Sequence, residues 1–134
     1  MYNIRNANRL WQFGNWSSAD LDKPSLVLDR KFDLIMAIDV VEHLRSPEKL
    51  LKWMIGHCHQ KTFLLISTPD RDMIYGKGHL CPPDNLSHIR EWNVEEFSSF
   101  LKANALRIIE NKHLPSVKSD LRDRTCQAIL SVVS

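Results

Sequence analysis

Glycine is scarce in this chain. Only Gly14, Gly56, Gly76 and Gly78 occur in 134 residues, well below the usual share of ~7%. No spacing among them makes a loop that cradles a phosphate, which excludes a complete dinucleotide fingerprint or P-loop. Cysteine is scarce too: Cys58, Cys81 and Cys126 are odd in number and widely spaced. That excludes a disulfide framework and a zinc-finger pattern, and a reducing cytoplasm is the simplest setting. No apolar run approaches the ~18 residues of a membrane span, and no stretch after Met1 resembles a signal peptide. One-sided charge is also missing. Eighteen basic residues against sixteen acidic ones give +2, which argues for neither nucleic acid nor an anionic membrane as partner.

What is there fits one domain of ordinary size spanning residues 1–134. With 43% hydrophobic and 25% charged residues, the chain has enough apolar matter for a core and is not a disordered segment. Asn3 to Trp11 has Ile4, Ala7 and Trp11 at helical spacing, and Asp22-Lys23-Pro24-Ser25 reads as a turn. Phe32 to Ile38 is a short, nearly continuous apolar run, the pattern of a strand buried on both faces. Ser46-Pro47-Glu48 then starts a helix, with a serine cap, proline at the first position and an acid in the first turn. Leu50, Leu51, Met54 and Ile55 form its apolar stripe, and Gly56 with His57-Cys58-His59 ends it. Adjacent residues in that triplet point in different directions, so it reads as a polar helix end and not as a metal site.

Thr62 to Ser67 is a second buried strand, stopped at Thr68-Pro69. A long polar loop runs from Asp70 to about Glu91, a length associated with function inside compact domains. Asn93 and Glu96 make a capping box, and Trp92 with Phe97 a hydrophobic staple, for a helix whose stripe is Phe97, Phe100 and Leu101. Leu106–Ile109 and Cys126–Val133 are two further strands with a polar stretch, Lys112 to Arg124, between them. The order strand, helix, strand, loop, helix, strand, strand implies an α/β sheet that is mostly parallel and closes with a C-terminal antiparallel hairpin.

In such sheets ligands bind beyond the carboxyl ends of the strands. One strand end carries Asp39-Val40-Val41-Glu42-His43, the other Ser67-Thr68-Pro69-Asp70. If the chain turns into helix after Asp39, residues 39, 42 and 43 share a face. Two carboxylates and an imidazole there suit a divalent cation or a proton shuttle. The competing reading is that Asp39 caps a turn while Glu42 and His43 are solvated.

These residues resemble a family. FDLIMAIDVVEHL, residues 32–44, is similar to the fourth-strand motif of class I S-adenosylmethionine-dependent methyltransferases. LLISTPDRD, residues 64–72, resembles that fold's fifth strand and following loop. CPPDNLSHIREWNVEEFSSFL, residues 81–101, resembles the bacterial branch reading Pro-Pro-x-Asn-x-x-His-x-Arg-Glu-Trp. The match covers about residues 30 to 133, with the motifs in order. It implies a partial Rossmann-like methyltransferase sheet, the C-terminal two thirds of such a domain, without the Gly-rich loop and the ribose-binding acid.

The resemblance implies S-adenosylmethionine as cofactor, with Asp20, Asp39 and Val40 beside it; NWSSADL, residues 15–21, is similar to the segment flanking the adenine. Metal-dependent relatives carry Glu-x-x-Glu-His at the fourth strand and a further histidine before the next helix. Carried over, that gives Asp39 (in place of the first Glu), Glu42, His43 and His88 as a divalent-metal set. His43 or His88 would be the base, with Asp39 and Glu42 orienting the site. Arg71 and Arg90 could bind an anionic or sugar-borne substrate; for Arg90 an ion pair with a neighbouring Glu is an equal reading. The acceptor would be a small molecule or a glycan-linked group, a hydroxyl being one option. Neither nucleic acid nor membrane is expected as a partner. A non-catalytic interaction module that kept the half-sheet is the alternative, favoured by the missing glycine loop. Either way Phe32–Ile38 would be an exposed sheet edge, expected to be covered by the N-terminal segment, a second copy or a partner chain.

Overall fold

The computed structural model describes residues 14–114 and 126–134. The expected helix over Asn3–Trp11 and most of the 112–124 connection lie outside these residues. Four strands form one sheet: β1 (Phe32–Ile38), β2 (Cys58–Pro69), β3 (Leu106–Leu114) and β4 (Cys126–Val133), in the spatial order β1-β2-β4-β3. Three helices accompany them, α1 (Pro47–Gly56), α2 (Arg71–Tyr75) and α3 (Val94–Ala103), and a 3-10 turn at Val41–His43 follows β1.

The strand-by-strand order matches the sequence reading, with three corrections. The sheet is mixed and not mostly parallel by pairing. Only β1 and β2 pair in parallel, and β4 lies antiparallel between β2 and β3. β4 follows β3 in sequence and pairs with it antiparallel, Leu106 opposite Val133 and Leu114 opposite Cys126. Second, β1 is not buried on both faces. Ile35 and Ala37 turn toward the core, while Leu34, Met36 and Ile38 are 49%, 60% and 49% exposed. Continuous apolarity therefore did not report two-sided cover, and β1 is an edge strand of the described sheet, with β3 at the other edge. Third, β2 begins at Cys58, so His57 alone caps α1 while Cys58 and His59 belong to the strand. The register against β1 jumps, pairing Phe32 with Cys58 and Leu34 with Phe63. Thr62 Oγ1 stitches the irregularity, accepting from His59 N and donating to Phe32 O.

The core gathers Leu50, Leu51 and Met54 of α1, Leu64 and Ile66 of β2, Phe97 and Leu101 of α3, Leu106 of β3 and Ile129 of β4. These are the apolar stripes of the helices laid on one face of the sheet. Pro47 stands in the first turn of α1, but Ser46 makes no side-chain cap; its N–H donates to Asp22 Oδ1 at 2.9 Å. Trp53 Nε1 donates to Leu26 O at 2.7 Å, so the turn region before β1 is tied to α1.

Helix α3 starts as the sequence predicts. Asn93 Oδ1 accepts from Glu96 N at 2.9 Å, and Glu96 Oε2 accepts from Asn93 N at 3.1 Å. Trp92 and Phe97 lie 5.4 Å apart, ring centre to ring centre, as the staple. Asn93→Ala removes the cap and is expected to cost about 1 kcal/mol, read as a lower urea midpoint at unchanged m-value. An unchanged midpoint would show that packing of Phe97 and Leu101 sets the helix start without it.

Candidate functional site

The site grows from the carboxyl ends of the two parallel strands. β1 is followed directly by Asp39, whose backbone sits in the left-handed region at φ 51°. Asp39 N donates to Ser67 O and Ser67 Oγ, and Ser67 Oγ donates to Asp39 Oδ1 at 2.8 Å. The two strand ends are thereby locked together. The tight turn at Asp39 throws the chain into the 3-10 turn that carries Glu42 and His43. Asp39 itself stands outside that turn, so the shared helical face expected for 39, 42 and 43 forms only for the last two.

The loop after β2 is not structureless. Asp70 caps α2, with Oδ1 accepting from Asp72 N and Met73 N. Its Oδ2 lies 2.7 Å from His113 Nε2 on β3. The chain then returns to the strand ends. Ile89 N and Arg90 N donate to the Glu42 carbonyl at 2.8 and 3.4 Å. His43 Nδ1 lies 2.9 Å from Ser87 O. A carbonyl only accepts, so Nδ1 carries the proton and Nε2 is the nitrogen left for chemistry.

A cavity of about 630 Å³ results, walled by Asp39, Glu42, His43 and Pro69 on the strand side and by Tyr75, Leu86, His88 and Glu91 on the loop side. Glu42 is wholly buried, and neither of its carboxylate oxygens has a hydrogen-bond partner. His43 Nε2 is 3.9 Å from Glu42 Oε1. Burial pushes the Glu42 carboxyl above the usual range; its own backbone N–H opposes this, and the Asp39 charge adds to it. The His43 and His88 rings meet edge to face at 4.8 Å. One ligand atom from each of Glu42, His43 and His88 lies within 4.8 Å of the others. Asp39, the fourth member of the expected metal set, is absent from that group and holds Ser67 instead.

Two residues to which sequence reasoning gave no role, Glu91 and Asn85, organise His88. Glu91 Oε1 sits 2.6 Å from His88 Nδ1, both side chains being nearly buried. Asn85 Oδ1 accepts from Ser87 N and Ser87 Oγ, which leaves its amide N–H pointing at His88 Nε2, 2.9 Å away. That network places a hydrogen on His88 Nδ1, toward Glu91, and turns Nε2 to the Asn85 amide. Tyr75 closes the loop side, accepting from Asp84 N at 3.3 Å. The spacing His88-x-x-Glu91 was the available signal, hidden because Glu91 reads first as the residue before the Trp92 staple.

Other expected site residues stand elsewhere. Asp20 is exposed and caps a turn through Asp22 N at 3.0 Å, and neither it nor Val40 lines the cavity. Arg71 donates to Glu96 Oε1 at 2.9 Å, and Arg90 donates to Arg45 O while lying 5.7 Å over the Trp92 ring. Both arginines face a separate cavity of about 390 Å³. Arg71 holds the start of α3, and Arg90 fastens the returning loop. The pocket that holds Glu42 contains neither.

A sheet whose polar pocket opens beyond the carboxyl ends of adjacent parallel strands defines a cofactor-type α/β fold. Residues 4–117 match the family model described as a methyltransferase domain, and the chain belongs to that family. Its fold is that of S-adenosylmethionine-dependent methyltransferases. Such an enzyme from Clostridium acetobutylicum superposes with a TM-score of 0.72 at 14% identity, covering 98% of this chain and 71% of the other. The glycopeptide N-methyltransferase MtfA with S-adenosyl-L-methionine gives 0.61 at 10% identity, covering 87% of this chain and 59% of that one. The N-methyltransferase NodS from Bradyrhizobium japonicum gives 0.57 at 14%, covering 95% and 65%. The chain thus spans less than two thirds of the latter two. No curated protein sequence matches it. Among the described residues no helix is long and apolar enough to cross a membrane.

Proposed function

We propose that this chain transfers a methyl group from S-adenosylmethionine to a small-molecule acceptor in the cavity beside Glu42. The buried, unpartnered Glu42 carboxylate next to His43 at the end of β1 carries the reading. A wholly buried carboxylate without partners is costly for a scaffold to keep and is suited to a positively charged or proton-donating ligand. The family match and the S-adenosylmethionine held by a neighbour of the same fold support the cofactor. The carboxylates of the pocket suit the sulfonium and amino end of that cofactor. The described residues include no glycine cradle for the remainder, and Gly76 and Gly78, though at positive φ, lie in the loop after α2.

The bound cofactor supplies an electrophilic methyl group. The chain's own residues hold the acceptor, exclude water and take its proton. His43 is the base in this scheme: Nδ1 is held by Ser87 O and Nε2 faces the cavity. His88, whose Nε2 already accepts from Asn85, positions the loop wall.

Calorimetric titration with S-adenosylhomocysteine is expected to give submillimolar binding. His43→Ala should leave that binding within a few-fold while lowering methyl transfer by about 10²–10⁴. Absence of binding would defeat the enzymatic reading and leave the non-catalytic module. A second reading, a divalent cation held by Glu42, His43 and His88, is favoured by their mutual distances. It requires that Mn²⁺ raise the melting temperature and that His43→Ala abolish the rise.

A further inference from the structure

We propose that the methyl acceptor is an amine, held as its ammonium form by the carboxylates of this cavity; this rests on the methyltransferase reading above. The chain is slightly basic overall, yet four carboxylates, Asp39, Glu42, Asp84 and Glu91, line the cavity and no lysine or arginine does. Three buried carboxylate oxygens there lack any partner: both of Glu42 and Oε2 of Glu91. Glu91 Oε1 is already matched by His88, and Asp39 Oδ1 by Ser67, so the unmatched negative charge centres on Glu42. Buried anionic oxygens without partners make a strong site for a cation and a poor one for an anion.

Tyr75 is held above its usual range, first by burial, with the Asp84 backbone N–H opposing and the Glu91 and Asp84 charges adding. Tyr75 and Leu86 on the loop wall give apolar contact to an alkyl portion. The two arginines that would select an anionic acceptor are committed to Glu96 and to the Arg45 carbonyl.

The chemistry balances. The acceptor ammonium gives a proton to His43 Nε2, which becomes imidazolium. The freed nitrogen lone pair forms the new N–C bond to the methyl carbon as the C–S bond breaks and its electron pair goes to sulfur. The products are a methylammonium and a neutral thioether. Two positive charges, the imidazolium and the methylammonium, then stand in a cavity lined by the four carboxylates Asp39, Glu42, Asp84 and Glu91.

The α-amino group of the cofactor is a second carrier of the same ammonium chemistry, and the test separates the two. Calorimetry with 1,4-diaminobutane, with and without saturating S-adenosylhomocysteine, is expected to show submillimolar binding in both cases. Adipate and butane-1,4-diol should give none. Glu42→Gln should weaken diamine binding about tenfold or more, a loss of about 1.4 kcal/mol. Asp84→Asn, at an exposed position and without risk to the fold, should weaken it about threefold.

Equal binding of the diol or of adipate would overturn the proposal. So would diamine affinity unchanged in both variants, complete displacement by S-adenosylhomocysteine, or complete displacement by Mn²⁺. Diamine binding without any response to S-adenosylhomocysteine would instead overturn the methyltransferase reading and leave an amine site. Response to S-adenosylhomocysteine without diamine binding would do the reverse.

Discussion

Glu42→Met is expected to raise the folding stability of the chain by about 1–3 kcal/mol, the usual desolvation cost of an unsatisfied buried polar group. Most buried substitutions destabilise, so the sign is the informative part. Glu42 is wholly buried with both carboxylate oxygens unpartnered, and methionine fills nearly the same volume with no charge to desolvate. The pH dependence follows from the raised carboxyl. Above the unfolded value of about 4.3 the unfolded chain releases this proton while the folded chain retains it. Folding is therefore favoured most below the unfolded value. That advantage is lost as pH rises through the folded value, and the penalty is constant beyond it. Glu42→Met should remove this component, so its gain is largest at neutral and alkaline pH and smallest near pH 4. Urea denaturation at several pH values reads both features. A loss of stability at pH 8 would mean that Glu42 has a stabilising partner, contrary to its orphaned oxygens.

Phe97→Ala is expected to cost about 3–5 kcal/mol, a large share of the ~5–15 kcal/mol typical of a domain. Phe97 is wholly buried and lies 5.4 Å from Trp92 and 6.4 Å from Phe100 between ring centres. Its loss also releases Trp92. The Trp92 carbonyl accepts from Arg71 N and from Gln127 Nε2, so the loop carrying His88 and Glu91 is anchored to the sheet there. The same variant should therefore weaken ligand binding in the cavity, whereas Phe97→Leu, with its volume largely kept, should cost less than about 1.5 kcal/mol. Equal losses for the two variants would show that the ring itself, and not the volume it fills, holds the staple.

Features set by near neighbours in the chain were legible in the sequence. The bounds of β1, the proline start and glycine end of α1, and the capping box and staple of α3 all depend on side chains within a few positions of one another. So does the pairing of β3 with β4, since no helix pattern separates them. What escaped depends on distant partners. The long start of β2 requires Thr62 to meet Phe32. The open face of β1 depends on what packs across it, which an apolar run does not encode.

The site divides along the same line. Glu42 and His43 are adjacent in sequence, and His88 came from the resemblance; the structure brings the three together. Asp39 leaves the group because its left-handed backbone turns it toward Ser67. Arg71 and Arg90 suggested anion binding by residue type alone. Their counter-groups, Glu96 and the Arg45 carbonyl, lie 25 and 45 positions away, beyond the reach of pattern reasoning. Glu91 was hidden by its neighbour Trp92.

The place of β4 bears on how the chain is made. This strand, residues 126–133, is an interior one, hydrogen-bonded on one edge to β2 and on the other to β3. During synthesis β1 and β2 leave the ribosome well before it, and β3 shortly before. Until it arrives β2 has one bare edge, and β3 has no partner among the described strands. Its pairing with β2 joins Leu64 to Ser131, a long loop closure of the kind that slows folding. The nascent chain must therefore wait, with apolar strand surface uncovered, for β4 to insert. That interval is when chaperone capture or misassembly competes with folding.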